Sequence, residues 1–231
     1  NLAINCIKIL QRRQVDISGV VLNPNDQGED GILKSLKKFV ISRGLNYLQP
    51  NHISDSDGVN YIKSLDPDFL FSFSYMRIIK KNILRIPALG SFNIHFADLP
   101  NYRGMLPIVN ALAGCEKHVG VTIHEIDEGI DTGRIILQEK LEVNENDTAF
   151  SLYFKLIDKG TKLFDKFIPL LLSKSYEYQV QELDQGSYFT SGYPNDRWIK
   201  NSSDKNQLSY FIRSLSFPGY PCARFHLHRN E

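Results

Sequence analysis

Two short segments hold the residues whose types and spacing could do chemistry. In Ser91-Phe92-Asn93-Ile94-His95-Phe96-Ala97-Asp98-Leu99-Pro100-Asn101-Tyr102-Arg103-Gly104, Asn93 and His95 sit two apart. On an extended strand both side chains then point to one face. An amide donor beside an imidazole suits a reaction that builds an oxyanion while moving a proton. The second segment, Asp127-Glu128-Gly129-Ile130-Asp131-Thr132-Gly133, puts Asp131 in a glycine-flanked loop that can bring a carboxylate close to another part of the fold. Together the two segments describe an acyl-transfer site.

The elements that must position them can be read from hydrophobic periodicity. Leu2, Ala3, Cys6, Ile7 and Leu10 follow helical spacing, and Ile17 to Leu22 is a β-branched run stopped by Asn23-Pro24-Asn25-Asp26. Helical spacing returns from Ile32 to Val40, a short strand fits Tyr47-Leu48, and residues 57–64 read as a helix. Phe69 to Ser74 is a compact apolar strand, and Ile78 to Leu84 is read as a helix ended by Pro87 and Gly90. Phe92 to Phe96 is the strand that carries the pair, and Leu106 to Ala113 is a helix that tolerates Pro107 in its first turn. Val119 to Ile126 and Arg134 to Val143 are strands joined by the Asp131 loop, and so antiparallel. Asn146 or Asp147 caps a long helix with an apolar stripe from Ala149 to Ile168. The alternation predicts an α/β, Rossmann-like, mostly parallel sheet with flanking helices. Beyond Lys174 the texture changes to scattered Tyr, Gly and Pro with a last helix at about residues 206–215. A boundary near 173 therefore divides a domain of residues 1–173 from a small α+β appendage of residues 174–231.

Composition narrows the function classes. The 231 residues are 42% hydrophobic and 23% charged, which suits one sizeable core. Basic and acidic side chains number 27 and 26, a balance that weighs against a nucleic-acid partner. No apolar run approaches the roughly 20 residues of a membrane span. Three scattered cysteines, Cys6, Cys115 and Cys222, read as buried reduced thiols of a cytoplasmic protein.

Other constellations compete less well. The carboxylates of the Asp127–Asp131 loop lack the further oxygen ligands of a calcium loop, so no metal is expected. His226 and His228 would share a strand face without a third ligand nearby. Dinucleotide and ATP motifs are missing from the residues given. Arg103 offers a fork for phosphate or a structural ion pair, and Trp198, Phe217 and Tyr220 could stack a base or pack an interface.

From about Leu70 to Leu156 the chain strongly resembles the formyltransferases that use N10-formyltetrahydrofolate. These include glycinamide ribonucleotide transformylase, methionyl-tRNA formyltransferase and the nucleotide-sugar N-formyltransferases. The resemblance makes Asn93, His95 and Asp131 the catalytic trio and implies a formyltransferase fold. It also implies that Tyr75, Met76, Arg77 and Ile79 line the folate site, with Ile126, Asp127 and Gly129 on the facing wall.

The Leu-Pro-x-Tyr-Arg-Gly element resembles the methionyl-tRNA and nucleotide-sugar branches. The segment after Lys174 is too short for a tRNA-gripping barrel and resembles the appendage through which nucleotide-sugar enzymes form homodimers. The resemblance places a first strand and glycine loop before residue 1, so the chain is read as truncated there and as stopping early at Glu231. It implies N10-formyltetrahydrofolate as cosubstrate and a dTDP- or UDP-amino sugar as acceptor. Asn101, Tyr102, Arg103, Trp198, Phe217 and Tyr220 are the acceptor-site candidates. A tRNA-directed formyltransferase and a non-catalytic folate-binding module are the alternatives.

Overall fold

In the computed structural model, residues 1–199 and 204–225 are described; His226 and His228 lie outside them. The chain opens on α1 (Leu2–Arg12), whose first turn is capped by the Asn1 side chain accepting from the Ala3 N–H. β1 (Val20–Val21) pairs in parallel with β2 (Tyr47–Leu48), with α2 (Leu36–Ser42) between them. After α3 (Ser56–Leu65) come β3 (Phe69–Phe73), the short α4 (Lys81–Leu84) and β4 (Gly90–His95). β5 (Arg103–Gly104), α5 (Pro107–Ala113), β6 (His118–Glu125) and β7 (Ile135–Glu142) lead to the 24-residue α6 (Ala149–Leu172). Beyond it, β8 (Tyr188–Phe189) pairs with β5, and α7 (Lys205–Ser214) follows.

The main sheet has the order β3-β4-β6-β7 and is mixed. β3 and β4 run parallel, whereas β6 lies antiparallel to both β4 and β7, as the short Asp131 connection requires. Phe92 and Ile94 of β4 join the core beneath α6, which leaves Asn93 and His95 on the other face. Phe92 meets Phe167 edge-on at 5.3 Å, and Phe71 and Phe73 both meet Phe164 edge-on at 5.3 Å. Phe164 and Phe167 are fully buried, so either one truncated to Ala would cost about 3–5 kcal/mol. Gly160 lets α6 cross the sheet closely, because a Cβ there would press on Val121 and Phe96. α1 docks alongside through Asn5 to Thr161 at 3.1 Å, and Arg12 and Arg13 both reach Asp165.

Four local readings change, each for a hydrogen-bonding or burial reason. Helix α2 begins at Leu36 with Ser35 as its cap, because the Asp26 carboxylate accepts from the Gly28 N–H, the Ser35 hydroxyl and the Lys37 N–H and holds the preceding residues as a loop. Residues 75–80 are not helical: the Met76 N–H donates to the Asn23 side chain and the Lys80 N–H to the Ser54 hydroxyl, so these donors are satisfied from outside. The cap of α6 is Thr148, which forms a capping box with Ser151, while Asp147 binds Lys155, the Ser151 hydroxyl and the Asn144 N–H. Of the three thiols only Cys6 is buried; Cys115 is half-buried and Cys222 exposed, all unpaired.

Candidate active site

β4 ends at His95, so the pair emerges at the carboxyl ends of the parallel strands β3 and β4, where open sheets hold ligands. Pairing with β6 sets Asn93 opposite His124 and His95 opposite Thr122. The His95 Nε2 lies 2.9 Å from the Tyr102 carbonyl, which places its proton on Nε2 and leaves Nδ1 facing the Asp131 carboxylate at 3.6 Å.

The loop after β6 is built to deliver Asp131. Asp127 folds it from within, its carboxylate accepting from the Gly129 N–H and the Thr132 hydroxyl. Gly133 passes so near β6 that a Cβ would collide with the Glu125 carbonyl. Asp131 itself takes a left-handed backbone, φ 53°. Its carboxylate accepts from the Gly104 N–H at 2.9 Å and stands 3.4 Å from the Asn93 amide.

His124 completes the cluster and was missed by the sequence reasoning. Its Nδ1 donates to the Glu125 carbonyl at 2.7 Å; its Nε2 meets the Asn93 amide at 3.1 Å and the Asp131 carboxylate at 3.5 Å. The available signal was period two: Thr122 and His124 share one face of β6, with Val121 and Ile123 on the other. Asn93 is thus held between an imidazole and a carboxylate.

The electrostatics follow from burial and these partners. His95, with only 10% of its side chain exposed, is pushed below its ordinary value chiefly by burial, against which the Asp131 charge and the Tyr102 carbonyl pull it back up. Burial opposes ionisation of Asp131 too, but the His124 and His95 imidazoles beside it and the Gly104 N–H together hold it down at about 2. A neutral imidazole beside a firmly ionised carboxylate can take up a proton and be stabilised once it has done so.

These groups open into a cavity of about 620 Å³. Tyr75, Met76, Arg77, Ile79, Ile126, Asp127 and Gly129 all line it, as do Phe217 and Tyr220. Met76 and Ile78 are 61% and 65% exposed on its lip, with Met105 and Ile130 also presented to solvent. Such an apolar ledge beside a polar floor fits a flat heteroaromatic ring.

The remaining acceptor candidates do not line this cavity. Tyr102 stacks on Phe189 at 5.5 Å and its hydroxyl donates to Glu116. Arg103 reaches the Leu183 carbonyl at 3.4 Å, Asn101 sits in a turn closed onto Asp98, and Trp198 bridges to Arg224. Phe217 packs edge-on against Phe150 and Tyr153 and also touches Tyr220. Among the described residues no His, Cys, Asp or Glu group could hold a metal ion, and no helix is long and apolar enough to cross a membrane.

An amide donor, a held imidazole and a fixed carboxylate at the floor of a cavity make a site suited to acyl transfer. The chain belongs to the Formyl transferase family, which matches residues 3–168. It is similar over nearly its whole length to WlaRD, a sugar 3N-formyl transferase solved in the presence of dTDP and 5-N-formyl-THF. That match has 30% identity and a TM-score of 0.79, over 96% of this chain and 78% of that one. The N-formyltransferase from Helicobacter canadensis, in complex with folinic acid and dTDP-3-aminofucose, matches with 28% identity and a TM-score of 0.79, over 99% and 81%. Among curated proteins, the bifunctional polymyxin resistance protein ArnA of Wigglesworthia glossinidia brevipalpis is 34% identical over 203 residues, 87% of this chain and 31% of that protein. The methionyl-tRNA formyltransferase of Kosmotoga olearia is 31% identical over 185 residues, 79% and 60%. The chain spans 31% to 66% of the length of the curated relatives it matches.

Proposed function

We propose that this chain transfers the formyl group of N10-formyltetrahydrofolate to the free amine of a nucleotide-linked amino-deoxy sugar, with dTDP as the favoured carrier. The single observation that carries this reading is the convergence of Asn93, His95, His124 and Asp131 on the floor of a cavity with an apolar ledge at residues 75–79. The folate would supply a formyl carbon activated by its bond to N10. The dTDP ligands of two similar proteins support the acceptor class. We further propose that the product feeds a surface polysaccharide such as O-antigen, that the protein works in the cytoplasm, and that residues 174–231 form an appendage serving homodimerisation.

In this reading His95 Nδ1 takes the proton that the attacking amine must shed, and Asp131 stabilises the resulting imidazolium. The Asn93 amide donates to the formyl oxygen as the amine adds to the carbon and charge develops. His95 then returns the proton to N10 as the carbon–nitrogen bond breaks, so that one N–H and one C–N bond form as one of each is lost. Burial matters here: a histidine kept neutral at rest is ready to act as the base.

The test is incubation with N10-formyltetrahydrofolate and a panel of dTDP- and UDP-amino sugars, with product masses read directly. Formylation of at least one nucleotide sugar is the expected result. The methionyl-tRNA formyltransferases among the curated relatives favour a second reading. Formylation of charged initiator tRNA with no sugar accepted would replace the first reading by the second.

A further inference from the structure

The residues that hold the catalytic side chains are themselves held by a segment far along the chain. The Tyr102 carbonyl fixes His95, and the Gly104 N–H fixes Asp131. Residues 102–105 are bonded in turn to residues 187–189: the Tyr102 N–H donates to the Ser187 hydroxyl at 2.8 Å, the Arg103 N–H to the Ser187 carbonyl at 3.0 Å and the Met105 N–H to the Phe189 carbonyl at 2.9 Å. A Cβ at Gly104 would collide with the Phe189 carbonyl, so the two strands lie in close contact.

The Asp131 loop is gripped from the same segment. Gln181 is buried, and its amide donates both hydrogens, to the Asp131 carbonyl at 3.0 Å and the Gly133 carbonyl at 2.6 Å. Two residues earlier, Gln179 exchanges backbone hydrogen bonds with Ile135 at 2.8 Å, which fixes where the Gln181 side chain enters. The grip spans the left-handed residue Asp131, a conformation that surrounding structure must enforce in a non-glycine residue. Without it, the half-buried Asp131 carbonyl and the buried Gly133 carbonyl would lose their partner, and the loop would relax toward one that supplied another.

We infer that the segment after Gln179 positions the catalytic centre through two residues, Gln181 setting the place of the Asp131 carboxylate and Ser187 that of the Tyr102 carbonyl behind His95. The inference rests on the formyl-transfer reading for its kinetic consequence but not for its structural one. Gln181 acts through Asp131 and is a positioning residue, not a catalytic one.

The test uses the full chain carrying Gln181→Met, which keeps length and volume but has no donor, and separately Ser187→Ala. Val180→Ala is the control, since Val180 lies in the same segment and is 72% exposed. His95 is titrated by NMR without substrates. Both the Asp131 charge and the Tyr102 carbonyl raise its pKa, so a loosened clamp must lower it. The expected result is a downward move of the His95 midpoint in both test variants and none in the control. A fall in kcat of about tenfold or more with little change in KM should accompany it.

If Gln181→Met does not fold, Ser187→Ala carries the same test from the other side of the site. A His95 midpoint equal to wild type in every folded test variant would overturn the inference, even if activity fell. Failure of the wild type to formylate any acceptor would sink the functional reading and leave the titration result standing.

Discussion

Replacing Asp131 by Asn keeps the shape of the side chain and removes its charge. In the folded protein the Asp131 carboxyl lies at about 2 against an ordinary value of 3.8, with 14% of the side chain exposed. At 1.36 kcal/mol per pKa unit this is roughly 2 kcal/mol of stability. Because the folded value is the lower one, that stability is complete above 3.8 and is lost as the pH falls through about 2. Part of the attraction is shared with His95, whose own titration shifts in the variant, so roughly 1 to 2 kcal/mol should be visible as a difference. The assay is urea unfolding followed by circular dichroism, for wild type and Asp131→Asn, from about pH 5 to about pH 2. The wild-type advantage should shrink by that amount across the window. A gap that stays unchanged as the pH falls from about 3.8 to about 2 would refute the electrostatic account. The same variant should lose on the order of 10³ to 10⁴ in kcat, as an imidazole does when its orienting carboxylate is neutralised.

Further outcomes follow from the same geometry. His95 should titrate below its ordinary value of 6.5 by NMR, and Asp131→Asn should move it further down, since the carboxylate raises it; an upward move contradicts the pairing. Asn93→Ala should lower kcat by roughly 10² to 10³ with a modest effect on KM, as expected for loss of one oxyanion donor; a pure KM effect would make Asn93 a binding residue. Ile78→Asp, on the exposed lip, should weaken folate binding measured by calorimetry while changing unfolding free energy by less than about 0.5 kcal/mol; unchanged folate affinity would remove the ledge from the folate site. Phe164→Ala should destabilise the fold by about 3–5 kcal/mol in urea titrations, and a cost under about 1 kcal/mol would mean that α6 is not the core helix described.

Strand β4 and its polar pair could be read from the sequence because their information is local: period two puts Asn93 and His95 on one face, and the glycines around Asp131 announce a tight loop. Period two gives the face of His124 but not its partner. Its role comes from cross-strand register with Asn93, and register depends on where two strands separated by more than twenty residues begin to pair. Gln181 was invisible for a similar reason, since a glutamine in a polar stretch has no period to betray burial. Residues 78–80 of the helix expected over Ile78–Leu84 misled because their apolar spacing is helical, whereas the Lys80 N–H is taken by Ser54 and the helix starts only at Lys81. Tyr102 and Arg103 were marked for their chemistry, yet that stretch serves the site through its backbone, a function that side-chain types do not reveal. That Met76 and Ile126 line the cavity could be expected only from the family resemblance, because such residues read as ordinary core.

The most direct measurement is a single-turnover assay of formyl transfer from N10-formyltetrahydrofolate to an accepted nucleotide sugar, run on wild type, Asn93→Ala and His95→Ala with folate binding checked in each. The account predicts formylated sugar from the wild type and a loss of at least about 10²-fold in both variants at retained folate affinity. Transfer at near wild-type rate in either variant would contradict it.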